Sequence, residues 1–147
     1  MRCNLFLITL LFFVCFGLRA SGQGTLPLER VEDVPLPGSA SRFDYQSLDS
    51  EGGRLYVAHL GANRLTVFDT KNRRVISEVA NLASVHGVVA VPELHRIFAT
   101  ATGTNELVVI NVEDLRVVAR VPAGDYPNGL AYDSRDAKVY VPSEERL

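Results

Sequence analysis

The chain has 147 residues, 47% hydrophobic and 22% charged, with 15 Lys and Arg against 17 Asp and Glu for a net charge of -2. That length suits one globular core and excludes several independent domains. The acidic balance argues against nucleic-acid binding, which ordinarily leaves a basic footprint.

The first segment reads as a leader. Arg2 supplies a positive start, residues 5–18 form a predominantly apolar run, and Ala20, Ser21 and Gly22 put small residues where a signal peptidase reads. The run is shorter than the roughly 20 apolar residues a membrane span needs. Residues 1–22 are therefore expected to be a secretory signal cleaved after Gly22, with export to the periplasm or the extracellular space and no membrane contact afterwards. Both cysteines, Cys3 and Cys15, fall inside it, and Val14 before Cys15 is not the small residue a lipoprotein signal requires. The mature chain is then free of thiols, which excludes disulfides, cysteine metal sites and cysteine nucleophiles. Loss of Arg2 and Arg19 leaves it more acidic still.

Residues 23–42 form an N-terminal segment in which "RVEDVP" (30–35) resembles "VARVP" (118–122). This predicts an extra outer strand of the kind that completes the last blade of a closed ring. From residue 43 the chain repeats itself. "RLYVAHLGANRLTVFDTKNRRVISEV" (54–79) returns 42 residues later as "RIFATATGTNELVVINVEDLRVVARV" (96–121), and a third copy opens as "KVYVPSEERL" (138–147). Asn63 recurs as Asn105, Val79 as Val121, and His86-Gly87 as Asn128-Gly129, with no insertion needed to hold the register.

One period contains four short runs rich in Val, Ile, Phe and Tyr, at 87–91, 96–101, 107–111 and 116–121 in the second copy. Their length and composition predict strands. Between them, Gly52-Gly53, Pro92 to His95, Gly61-Ala62-Asn63 and Gly103-Thr104-Asn105 carry turn chemistry, with Gly and Asn as the residues that tolerate positive φ. Strands such as Leu107-Val108-Val109-Ile110 are apolar on both faces, so each sheet must be covered on both sides. An all-β fold of β-propeller blades follows, each of four antiparallel strands on a 42-residue repeat, with about two and a half blades over 43–147. A β-sandwich of the same strands is the second reading, although it would not require an in-phase repeat.

Tyr56-Val57-Ala58-His59, the asparagine turn at Asn63, Asp69-Thr70 and the valine-rich outer strand resemble the YVTN-repeat β-propellers, and within them the exported YncE-like subgroup. Phe98-Ala99-Thr100-Ala101 and Tyr140-Val141-Pro142-Ser143 are looser copies of the same tetrapeptide. The resemblance implies a ring of about seven blades. Two expectations follow for a chain with fewer: it is a piece of a longer propeller, which we read first, or it associates with copies of itself through open blade edges.

The repeat places Asp44, His86 and Asn128 at equivalent positions just before each innermost strand, on the channel rim where propeller ligands usually bind. Asp and Asn are common turn-capping residues, so a structural role is the first reading of this set and ligand binding the second. His86 adds a group able to bind metal or move protons. His59 and His95 read as packed or solvated side chains, the basic cluster at Lys71, Arg73 and Arg74 as a solvated turn, and the five tyrosines as blade packing or rim. Ser47 and Ser84 stand near His86 along the repeat, yet no GxSxG, HExxH, GxGxxG or P-loop motif accompanies them. No catalytic residue, metal ligand or cofactor is assigned. The functional expectation is a noncatalytic scaffold for an unknown protein or small-molecule ligand. A propeller enzyme with cofactor or metal chemistry at the channel face is the alternative, and a nucleic-acid-binding propeller the third.

Overall fold

The computed structural model describes residues 28–39 and 41–144, so the leader and both cysteines lie outside the described residues. The chain divides into two units, Met1–Glu32 and Asp33–Leu147. Residues 28–35 take no strand conformation, including the stretch that matches an outer strand in sequence.

The second unit is built from three antiparallel sheets in chain order. Strands β1 (Gln46–Asp49), β2 (Arg54–His59), β3 (Arg64–Asp69) and β4 (Arg74–Val79) form the first meander. Strands β5 (Val85–Val91), β6 (Arg96–Ala101), β7 (Glu106–Asn111) and β8 (Val117–Pro122) form the second, each neighbour in sequence being the neighbour in the sheet. A two-stranded sheet of β9 (Ala131–Asp133) and β10 (Lys138–Tyr140) follows. The expected strand at 87–91 begins two residues earlier, because Val85 pairs with Ala101 before an irregularity that ends at Val88.

The repeat extends to the hydrogen-bond register. Leu65 faces Val79 and Leu107 faces Val121, and the ladder slips between Val67 and Phe68 in one blade and between Val109 and Ile110 in the next. Positive φ recurs on the same step at Gly53, His95 and Ala137, at Asn63 and Asn105, at Arg73 and Leu115, and at Ser84 and Tyr126. In the Gly-x-Asn turns it is the asparagine that takes this conformation. Gly61 and Gly103 are needed for close approach instead: a Cβ would lie 2.6 Å from that of Ser41 at Gly61, and 2.9 Å from that of Ala83 at Gly103.

The two complete sheets share one buried core. Tyr56, Ala58, Leu65 and Val67 come from one side of the first pleat; Ile97, Ala99, Ala101, Val108 and Ile110 come from the opposite side of the second. Front therefore meets back, as stacked blades require. The back of the first blade is covered by the run through Gly38, Ser41 and Phe43. Ser41 Oγ lies 2.8 Å from His59 Nε2, and the Phe43 ring stacks on the fully buried His59 imidazole at 4.1 Å.

Specific polar contacts tie the layers together. Asn63 Oδ1 accepts from the Ser84 N–H at 2.7 Å and its carbonyl from Leu82 N–H at 3.0 Å; Asn105 does the same for Tyr126 at 3.0 Å and Ala123 at 3.0 Å. Arg54 Nη1 donates to the Val112 carbonyl at 2.6 Å, and Ala90 N–H to Ser47 Oγ at 3.0 Å. Across β3 and β4, Arg64 pairs with Glu78 at 2.8 Å; the equivalent pair across β7 and β8 is Glu106 with Arg120, also 2.8 Å, with the signs exchanged. The β3–β4 turn is closed by Asp69, which accepts from Asn72 N–H and Nδ2 at 2.8 Å and from Lys71 N–H at 2.9 Å. The Asn72 bonds first, then that from Lys71 and the charge of Arg74, hold its carboxyl below the ordinary aspartate range. Asn111 Oδ1 makes the matching turn without a charge, accepting from Glu113 and Asp114 N–H.

Replacing Asn63 or Asn105 by Ala should cost about 1–2 kcal/mol each in urea denaturation, since a hydrogen bond is lost and a left-handed backbone loses a residue that tolerates it. Asn→Gly at either position should recover the backbone part alone, and equal losses for Ala and Gly would place the whole effect in the side-chain bond. Because the folded Asp69 carboxyl titrates below its unfolded value of about 3.9, its contribution is present above that pH and disappears as the pH falls through the folded value. Asp69→Asn, copying Asn111, should therefore lose less thermal stability between pH 7 and pH 3 than the parent chain. An identical acid-side loss would show that Asp69 is not linked to folding.

Candidate functional site

The loops entering the innermost strands meet at one end of the stacked sheets and enclose an open cleft of about 630 Å³, lined by Arg42, Ser84, His86, Thr102, Asp125 and Tyr126 among others. His86 is the second residue of β5 and is 3% exposed. Its burial follows from Gly87, where a Cβ would sit 2.4 Å from Leu130 Cδ2 and 3.2 Å from the Asn128 carbonyl, so only glycine lets the chain entering β9 come this close.

Two contacts fix the state of the neutral ring. Nδ1 lies 2.8 Å from the Ser84 carbonyl, which can only accept, so Nδ1 carries the proton. Thr102 Oγ1 stands 3.0 Å from the same nitrogen and donates to the same carbonyl at 2.8 Å. The lone pair of Nε2 is left facing Tyr126 Oη at 3.3 Å, with the two rings edge to face at 5.4 Å, and Asp44 Oδ2 at 3.7 Å. Arg42 Nη2 lies 3.2 Å from that Asp44 oxygen, on a side chain that is 65% exposed. A buried imidazole with one face anchored on backbone can accept a proton, pair with Asp44 when charged, or donate its lone pair to a bound group.

Of the three rim residues expected from the repeat, the structure brings Asp44 and His86 together. The Asn128 side chain is directed elsewhere: its Nδ2 donates to Glu144 Oε1 at 3.1 Å, and its carbonyl accepts from Thr100 Oγ1 at 3.4 Å. The contact on that side of His86 comes instead from Tyr126. This tyrosine occupies the repeat position of Ser84, and a bulky aromatic replacing a serine at a loop apex is the signal that could have found it. Arg42, at the end of the N-terminal segment, carried no such signal.

The other histidines and the two serines do not join His86 as side-chain partners. His59 is packed under Phe43, and His95 is exposed 3.5 Å from Glu113. Ser84 meets His86 through its backbone, and Ser47 Oγ serves Ala90 N–H, so neither hydroxyl is joined to the histidine as a nucleophile would be. Among the described residues, no group of three His, Cys, Asp or Glu side chains is placed to hold a metal ion.

Four-stranded meanders stacked in phase define a β-propeller, of which this chain supplies two whole blades and part of a third. Its relatives agree. The uncharacterized protein YncE of Salmonella typhi is 27% identical over 109 residues, covering 74% of this chain and 31% of that protein, and YncE of Salmonella typhimurium gives the same figures. The chain thus spans about a third of the length of the curated relatives it matches. No family model matches. Among solved structures it is similar to Kuenenia stuttgartiensis hydrazine synthase, with a TM-score of 0.66 at 16% identity over 78% of this chain and 33% of that one. A streptogramin B lyase gives 0.53 at 13% identity over 71% and 41%. At these identities the likeness is one of fold.

Proposed function

We propose that the chain is part of an exported YVTN-repeat propeller of the YncE-like kind and acts as a binding scaffold, its ligand entering the cleft beside His86. The observation that carries this reading is the convergence of Arg42, His86 and Tyr126, from three separate segments, onto one polar opening, with Asp44 beside His86, which is buried and held in one tautomer. Binding sites in propellers are built in this way, from a few polar groups on loops that a rigid stack positions. The tetrapeptide at Tyr56, the Asn63 turn and the similarity to YncE support the family, and the apolar leader supports export. Asn128 contributes to the rim through its bond to Glu144 and not through the cleft itself.

Export predicts that protein recovered from outside the cytoplasm begins at Gln23 by intact mass spectrometry. A mass that retains residues 1–22 would overturn the leader. For the cleft, a ligand-observed NMR screen of small polar molecules against the purified protein should yield binders lost in Tyr126→Ala and Arg42→Ala. The same binders should persist in Glu93→Ala, which alters a smaller depression near Asp49 and Glu51. Binders indifferent to Tyr126 and Arg42 would place recognition elsewhere on the chain.

A further inference from the structure

We infer that His86 and Tyr126, which line the cleft, form with the adjoining Asp44 a binding site for a divalent transition-metal ion. This rests on the binding-cleft reading and deepens it by naming the class of ligand. Two ligands of one tetrahedral ion, each about 2.0–2.2 Å from it, stand about 3.4 Å apart. The Nε2 atom of His86 is 3.3 Å from Tyr126 Oη and 3.7 Å from Asp44 Oδ2. The latter is long for a hydrogen bond, yet both separations suit donors arranged around an ion.

The chemistry of the imidazole points the same way. A metal-bound histidine characteristically donates its other ring N–H to a carbonyl or carboxylate, which fixes the ring and raises its basicity. His86 Nδ1 already makes that bond to the Ser84 carbonyl, with Thr102 Oγ1 beside it, and the ring is almost wholly buried. One imidazole with two oxygen donors suits zinc or copper(II) better than the hard, all-oxygen coordination of calcium or magnesium. Three protein donors would leave a fourth position for water or a small ligand of the scaffold. The Arg42 guanidinium, 3.2 Å from Asp44 Oδ2, is a competing cation on that carboxylate, and its exposed side chain can withdraw into solvent.

The test uses the untagged, metal-stripped protein and Zn²⁺ or Cu²⁺ alone, by isothermal titration calorimetry and visible absorption. One ion per chain should bind. His86→Ala should weaken binding by more than about 100-fold, beyond the 10–100-fold that an outer-shell change costs, while His95→Ala should leave it unchanged. Tyr126→Phe should remove a phenolate-to-copper charge-transfer band, and Arg42→Gln should tighten binding by releasing Asp44, an effect that a purely structural role for these residues would not produce. Far-ultraviolet circular dichroism of each variant shows that the sheets persist; should His86→Ala unfold, His86→Gln takes its place. Uptake below one ion per chain, or uptake indifferent to His86, overturns the site. If organic ligands bind the cleft in a Tyr126-dependent manner while the stripped protein takes up no ion, this inference falls and the binding-cleft reading stands.

Discussion

The stacking of one sheet's front on the next sheet's back governs the rest of this structure. Each four-stranded sheet is apolar on both sides of its pleat, so neither side can be left in water without losing the burial that stabilises it. Tyr56, Ala58, Leu65 and Val67 are covered only because Ile97, Ala99, Ala101, Val108 and Ile110 project from the reverse side of the following sheet. Such a contact is heterologous: it joins two different surfaces of the same repeat and can be propagated around a ring. Among the described residues the first blade is covered on its back by the run before β1 and not by another sheet. Its back-facing His59 and Thr66 are nonetheless buried, with Phe43 stacked on the histidine. Ser41 Oγ meets His59 Nε2, while among the described residues His59 Nδ1 and Thr66 Oγ1 have no hydrogen-bond partner.

Hydrophobic stacking alone does not set how far one blade is rotated on the next, and polar contacts supply that. Asn63 and Asn105 each place one side-chain oxygen and one carbonyl on the N–H groups of the linker entering the next sheet. Both clips act on backbone, so they fix the path of the chain whatever side chains the linker carries. The left-handed conformations at Ser84 and Tyr126, one at the end of each clip, aim the following residues toward the cleft. The strain of a positive φ at a non-glycine residue, about 1–2 kcal/mol, is thereby offset by a bond that exists only in that conformation.

Much of this organisation was legible in the sequence because it is written twice. The step of 42, the strand positions and the both-sides apolar character of residues 107–110 follow from repetition and composition. What was not legible is backbone geometry carried by untypical residues. Gly53 announces a left-handed turn; His95 and Ala137, at the same position in the next two copies, do not. Gly61 and Gly103 mislead in the other direction, since each is demanded by a neighbouring segment and not by its own φ. The repeat puts Asp44, His86 and Asn128 at equivalent backbone positions, yet the structure sets Asp44 3.7 Å from His86 and directs Asn128 elsewhere. Repeat position specifies where a Cα lies; it does not specify where a side chain points, and Asn128 turns to Glu144.

The division of labour between identical and divergent positions is itself informative. Where the two copies agree in role, as at Asn63 and Asn105, or exchange partners symmetrically, as in Arg64 with Glu78 and Glu106 with Arg120, the residues hold sheets together. A sign exchange preserves the attraction across the strands, so those positions constrain the pair and not either residue. Where the copies differ, at Asp44 against His86 and Ser84 against Tyr126, the residues line the cleft or, for Asp44, stand beside His86. A repeat fold can acquire a specific site only by such departures, because a site made of equivalent residues would be reproduced on every blade. One buried imidazole anchored to a backbone carbonyl, with an acid from the preceding loop and a phenol from the following one, needs three different residue types at neighbouring repeat positions. That asymmetry, set on a scaffold whose symmetric residues supply its rigidity, makes this opening distinct from the equivalent position on the neighbouring blade.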